Sequence, residues 1–307
     1  MDVTVASLEY LAAKRARLRP GSLVWYRSRL AVFSAWCEAH GVSLEQVKAR
    51  VIGEFIDYVR QTRIPRKAGA PLSSCTTQGY VTVIKAFLAF CADDEEYSEF
   101  VKFATVRRIP LPKRTELIID IFTDAQVAAL IDASKHNYSD HLRERDACIV
   151  AVLTGTGIRA DELCKLTIGN THMDPRDSYI KVEGKGRKQR EVPLDDRTRR
   201  RLAKYLRHFR DGAKPGAPVF VDRTGKLPIK NSALERIFQR LGEWANIEGV
   251  RCSPHTCRHY FAARFWQQHQ DIYALSRILG HASVGVTEDY LRSLSGVDVR
   301  IALQQRR

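Results

Sequence analysis

Residues 179–194 read YIKVEGKGRKQREVPL. Tyr179-Ile180-Lys181-Val182 and Glu191-Val192-Pro193-Leu194 have the β-branched, aromatic character of short strands. Between them lies Gly184-Lys185-Gly186-Arg187-Lys188, whose glycines suit a turn. The pattern predicts a β-hairpin with a basic tip. It is the one clear break in a chain that is otherwise helical by periodicity. The predicted fold is mainly α, with a small helical-bundle N-terminal domain before a mostly helical domain that carries this small β-hairpin or sheet.

Upstream, Leu23, Tyr26, Leu30, Phe33 and Trp36/Cys37 recur at three- and four-residue steps. Ser43-Leu44-Glu45-Gln46 has the form of a capping box opening a second helix through Val51, Phe55 and Tyr58. Arg63–Leu72 holds Pro65, Gly69 and Pro71 and is expected to be a loop. Ser73 or Ser74 then caps a helix carrying Tyr80, Ile84, Phe87, Leu88 and Cys91, for a four- or five-helix unit over residues 1–105. TVRRIPLPKRTE (105–116) combines two prolines with four basic residues. It is expected to break the helical run, which makes 106–116 an interdomain linker. Thr123–Gln126 repeats the capping-box pattern and opens a second domain over 117–307. A short PVFV strand is expected at 218–221, after a helix dense in arginine.

The chain has 307 residues, 44% hydrophobic and 28% charged, which fits about two globular domains at ~150 residues each and excludes a disordered protein. Its net charge is +15 and its pI about 9.7, so a polyanionic partner competes with an ordinary basic surface. Seven cysteines form no Cys-x-x-Cys, as in a reduced compartment. The N-terminus has no apolar signal core. The longest apolar run, Ala147–Leu153, is far short of the ~20 residues a membrane span needs. A cytoplasmic protein is expected, with no membrane partner.

Candidate chemistry comes in pieces. Thr154-Gly155-Thr156-Gly157-Ile158-Arg159-Ala160-Asp161-Glu162-Leu163 joins an apolar helix to a second helix through two glycines. Arg159 falls at the second helix's first turn, where backbone amides already suit anions. Glu162 can orient it, or form only an exposed ion pair. Lys185 lies at the hairpin tip, with Lys188 its rival for a catalytic role. Ser253-Pro254 starts a helix on which His255 and Arg258, three apart, share a face with His259. A zinc site from Cys252, His255, Cys257 and His259 fails on geometry, because residues two apart on a helix diverge. His281 follows a helix end at Gly280, and Tyr290 lies on a short amphipathic helix. Singly, each reads as a surface, capping or packing residue. Together they form a kit for attacking a phosphodiester: arginine forks for the equatorial oxygens, a proton donor for the departing oxygen, and a phenol able to form a covalent link.

With these motifs in order, the chain closely resembles the tyrosine recombinase (phage integrase) family, above all its compact two-domain, Xer-like members. GIRADEL at Arg159, VEGKGRKQREVPL at Lys185, SPHTCRH at His255 and Arg258, LGHAS at His281 and TEDY at Tyr290 carry the likeness over roughly 117–295. The first domain resembles the core-site-binding domain in size and pattern only. The resemblance implies a site-specific recombinase with Tyr290 as nucleophile, leaving a 3′-phosphotyrosyl link and a free 5′-hydroxyl. Arg159 and Arg258 would clamp the scissile phosphate, and Lys185 would protonate the leaving oxygen. His255 would be base or proton shuttle, His281 would bond the phosphate, and Glu162 would support them. It implies no metal, no cofactor and no ATP. It also implies a homo-tetramer on two double-stranded DNA sites, with a C-terminal segment docking in a neighbour and accessory proteins as optional partners. The biological errand would be integration or excision of a mobile element, or dimer resolution. Phe261-Ala262-Ala263 departs from the family's usual small Ala-Thr pair, and no arm-site domain is expected within these 307 residues.

Expected DNA contacts are Arg187, Lys188, Arg190, Arg199, Arg200, Arg201, Arg107, Arg108, Lys113 and Arg114. Thr76, Thr77, Gln78 and Lys85 are the expected major-groove positions of the first domain. Such a grip is mainly to the backbone and weakens steeply with salt. Two other readings are a non-catalytic DNA-binding regulator of the same fold and a type IB topoisomerase-like relaxase. The intact catalytic set speaks against the first.

Overall fold

The computed structural model describes residues 1–62, 72–113, 119–184 and 188–294, and the chain divides into two units, Met1–Glu116 and Leu117–Arg307. In the first unit, α1 (Val3–Arg15) and α2 (Pro20–Ala39) lead to α3 (Ala49–Thr62), α4 (Ser74–Asp93) and α5 (Phe103–Arg108). Leu30, Phe33, Trp36 and Cys37 of α2 are buried as their spacing requires. The capping box at Ser43 forms, but it closes only a single 3-10 turn, Leu44–Gln46. The helix expected from it starts later, at Ala49. Its core face is Ile52, Phe55, Ile56 and Val59, which leaves Tyr58 exposed. Ser73 caps α4 by accepting from the Thr76 N–H.

The stretch expected to be too rich in proline and charge for helix is helical up to Arg108, and it ends at Ile109 because Pro110 follows. Val106 and Ile109 are buried in the first core, so this segment is part of the unit at that point. Lys85 Nζ donates to Ile109 O at 2.6 Å and Gln78 Nε2 to Pro112 O at 3.2 Å. Thr77 is buried, with its hydroxyl bonded to Ser74 O. These three residues, expected to face a groove, turn inward to their own chain. Thr77 has no surface to offer DNA. Thr76 is half-buried and shares a 2.8 Å contact with Ser73 Oγ. Apart from Leu72, the loop expected at 63–72 lies outside the described residues.

The second unit opens on α6 (Asp124–Ala133), where both hydrogen bonds of the Thr123–Gln126 capping box are made. Then come α7 (Asp140–Thr156), α8 (Ala160–Cys164), β1 (Thr171–His172), β2 (Tyr179–Glu183), β3 (Gln189–Pro193), α9 (Asp196–Phe209), α10 (Asn231–Trp244), α11 (Pro254–His269), α12 (Ile272–Leu279) and α13 (Val284–Ser293). The hairpin pairs Tyr179 with Pro193 and Glu183 with Gln189, and β1 adds a third antiparallel strand that periodicity did not reveal. Two residues are too few to show an alternation. Ile180, Val182 and Val192 face the core.

The expected PVFV strand is not one. Val219, Phe220 and Val221 are buried, but Pro218 and Val221 make only isolated bridges, to Thr167 and Pro228. Apolar runs in a core read alike whether or not a strand lies alongside. Gly155, expected in the connection between the two helices, lies inside α7. A methyl there would sit 2.1 Å from Thr198 Oγ1 of α9, so its smallness serves helix packing. Gly157 makes the turn itself, with φ +63°.

Candidate active site

The α7–α8 turn, the α12–α13 turn and the buried face of α11 meet at one place. Arg258 of α11 is only 4% exposed. Its Nη1 donates to Gly157 O at 2.8 Å, and its Nη2 to Leu279 O at 2.8 Å and His281 Nε2 at 3.0 Å. Both carbonyls belong to helix ends, where main-chain acceptors lack intrahelical partners. Burial, then repulsion from Arg159, lowers the Arg258 pKa to about 10, and the group stays cationic at neutral pH. Arg159, the N-cap of α8, is more open, at 43% side-chain exposure. It reaches Glu162 Oε1 at 3.2 Å and Gly280 O at 3.4 Å.

Glu162 is not the exposed partner of a surface ion pair but is buried. It accepts from the Arg159 backbone N–H at 2.8 Å and takes a two-pronged bond from Arg190, 2.8 and 2.9 Å. Burial works to raise its pKa, but the bonds from Arg190 and Arg159 and their charges prevail and hold it below the usual carboxylate range. Stripping one partner from such a buried pair costs about 3–5 kcal/mol.

A guanidinium can only donate, so the 3.0 Å contact makes His281 Nε2 an acceptor and puts the ring proton on Nδ1. That proton goes to Thr287 Oγ1 at 2.8 Å. Burial and then Arg258 push the His281 pKa down to about 4, which agrees with a neutral ring. As placed, His281 supports Arg258; it does not present an N–H to a ligand. Thr287 went unnoticed in the sequence, although it lies one turn before Tyr290 on the same face of α13, and that spacing was a usable signal.

Tyr290 packs in this corner. Its ring stacks on His259 (centroids 5.0 Å apart, planes at 19°) and meets His281 edge-on at 5.5 Å. The phenol oxygen is buried without a well-formed hydrogen bond. Burial pushes its pKa up to about 12, while Arg258, close enough to act on it, and then Arg159 pull the other way. His255 is exposed at the helix start and stands edge-on to His259 at 4.3 Å. Although His255 keeps exposed surface, partial burial of its ring, then Arg258, lowers its pKa; fuller burial, then His255, pushes His259 down to about 3. Two imidazoles, His259 and His281, therefore flank the phenol, and His255 stands behind His259.

A cleft of about 1160 Å³ opens beside this corner, lined by Arg159, His281, Lys181, Lys188, Arg190 and Arg277 among others. Arg277, on the last turn of α12, was not singled out in the sequence. Lys188 lies in the cleft and is exposed. Lys185, Arg187 and Arg114 lie outside the described residues, as does the tail 295–307. Arg190, expected as a DNA contact, lines the cleft but is largely committed within the chain: Glu162 accepts one N–H from each Nη, and Nε donates to Ile278 O at 2.7 Å. Arg199 and Arg200 pair with Asp196 on their own helix. With Arg201 they stand apart from the residues lining the cleft, whereas Arg107, Arg108 and Lys113 are exposed in the first unit.

Two arginines, one deeply held and one open, share a corner with a buried phenol flanked by two imidazoles, a grouping with the charge to bind an anionic ester. The phage integrase family matches over residues 120–296, and the chain belongs to that family, the tyrosine recombinases. It is 34% identical over 184 residues to tyrosine recombinase XerD of Chlamydia trachomatis serovar D, a match covering 58% of this chain and 59% of that relative. With XerD of Pseudomonas aeruginosa it shares 27% over 268 residues, covering 86% and 84%. The fold is that of XerH site-specific recombinase bound to a palindromic difH substrate in a post-cleavage complex, with TM-score 0.75 at 18% identity over 93% of this chain and 80% of that one. It is also that of a lambda integrase dimer bound to a COC′ core site, with TM-score 0.72 at 15% identity over 94% and 95%. Among the described residues, no helix is long and apolar enough to cross a membrane.

Proposed function

We propose that this chain is an active site-specific DNA recombinase that breaks and rejoins strands through Tyr290. The observation that carries this reading is the buried Tyr290 phenol held between His259 and His281, the latter bonded to Arg258, within one chain. In the proposed step the phenol oxygen attacks the scissile phosphorus and the P–O5′ bond breaks. The phenolic proton passes to the imidazole cluster, with His255 as its outlet. Lys185 or Lys188 gives a proton to the departing 5′-oxygen. Arg159 and Arg258 hold the spread negative charge of the transition state, where most of the catalysis of phosphoryl transfer lies. Attack by a 5′-hydroxyl from a partner strand reverses the step and completes exchange, so the bond energy stays in the phosphotyrosyl link and neither ATP nor a metal is needed.

Double-stranded DNA is the proposed substrate, supported by the charge of +15 and by the DNA complexes of the structural relatives. Four protomers on two sites, with a C-terminal segment from 291–307 docking in a neighbour, is the proposed assembly. Residues 1–105 are proposed as the core-site-binding domain and 106–116 as the linker. To test the reading, duplexes with a random central segment are incubated with the protein in chelator, and covalent complexes are captured under denaturing conditions. Sequences recovered with wild type and absent with Tyr290→Phe are then placed on two duplexes. Exchanged flanks support recombination. Relaxation or resealing without exchange would make the protein a relaxase, and no covalent complex at all would refute the reading.

A further inference from the structure

Arg190 ties together parts of the site that no single helix connects. It lies on β3, two residues past the described edge of the hairpin tip, yet its guanidinium reaches back into the second unit and bonds there through all three nitrogens. Both Nη atoms bind the buried Glu162 carboxylate at 2.8 and 2.9 Å, and Nε holds Ile278 O at 2.7 Å. Its side chain is only 14% exposed. The turn it holds matters most. Residues 278–280 lend Leu279 O to Arg258 and Gly280 O to Arg159, and His281, which supports Arg258, comes next. The other end of the fork acts on Arg159 a second time, through Glu162. Gly280 has φ +65°, and a Cβ there would come 2.9 Å from Arg190 Nη1, so turn and guanidinium are packed face to face.

We propose that Arg190 is a positioning residue for DNA cleavage: by clamping the 278–280 turn to Glu162, it sets the spacing between Arg159 and Arg258. The inference rests on the proposed function above. In this role Arg190 acts through Glu162 and the turn, not on the phosphate itself. A planar, permanently charged fork suits this task and a lysine does not, because a single ammonium cannot fill the two-pronged carboxylate and the carbonyl in one plane. Misplacing catalytic groups by about 1 Å costs on the order of 10²-fold in rate.

The test uses the full chain and a duplex captured by wild type, built with either a normal scissile phosphate or a neutral methylphosphonate. Removing the phosphate's charge removes the demand for two well-spaced cations, so a defect in their spacing shrinks on the neutral ester, while a misfolded site gains nothing. Arg190→Met is expected to form the covalent adduct about 10²-fold more slowly than wild type on phosphate, to bind DNA within about threefold of wild type, a margin small beside that loss, and to recover at least tenfold of the loss on methylphosphonate. Arg190→Lys stays at least tenfold below wild type on phosphate. If Arg190→Met alone unfolds, the double variant Arg190→Met/Glu162→Gln leaves no unpaired buried carboxylate and takes the same test. Wild-type rates in Arg190→Met, full rescue by lysine, or a loss that methylphosphonate leaves untouched would overturn the inference while Tyr290-dependent cleavage by wild type stands. No adduct from wild type would instead bring down the proposed function, and this inference with it.

Discussion

Arg258 and Arg159 are held differently, and the difference has consequences for each. Arg258 is locked by two carbonyls and an imidazole before any DNA arrives, whereas Arg159 keeps an open side chain. A preorganised cation needs no reorganisation as charge develops on the phosphate. Arg258→Ala and Arg159→Ala are each expected to lower cleavage by roughly 10²–10³-fold, the loss typical of removing one such donor, while DNA binding stays largely intact. Adduct rates beside mobility shifts check this, and parallel loss of binding would make the arginines structural. The histidines carry a pH signature. The His281 pKa falls from an ordinary 6.5 to about 4 on folding, so between those values the unfolded chain binds the extra proton and the folded one does not. Stability from the neutral ring is therefore complete above pH 6.5 and is lost as pH falls toward 4. Thermal unfolding across that window should show wild type losing more stability than His281→Asn. Equal slopes would remove His281 as a titrating support.

At the scale of elements, the helix ends and starts beside Arg159, Arg258 and His281 were legible from local signals, Gly157, Ser253-Pro254 and Gly280, while Tyr290 inside α13 had only the order of the motifs to place it. What stayed hidden was whether a polar side chain turns in or out. Arg190 and Thr77 looked like surface residues, since charge and a hydroxyl carry no mark of burial when their partners, Glu162 and Ser74 O, are set by tertiary contact or one turn of helix. Gly155 was misread for the same reason. Its partner Thr198 is far away in sequence. Gly155→Ala should destabilise the second unit by about 1–3 kcal/mol, as overpacking does. Thr198→Ala should recover part of that cost, because the 2.1 Å approach is to the hydroxyl. Denaturant melts of the two single variants and the double form a cycle that checks it, and additive effects would mean that the two helices do not press together at this point.

For the whole molecule, a four- or five-helix first unit was expected, and its described residues hold five helices, the last of them in the segment expected to be linker: Val106 and Ile109 belong to that core. The second unit gathers the chemistry, and there the central claim can be tested at a single atom. Wild-type protein is trapped on its target duplex in chelator, the complex is digested with nuclease and protease, and the residue carrying the nucleotide remnant is identified by mass spectrometry. The account predicts the remnant on the Tyr290 oxygen, joined to a 3′-phosphate. A remnant on any other side chain, or a link to a 5′-phosphate, would contradict it.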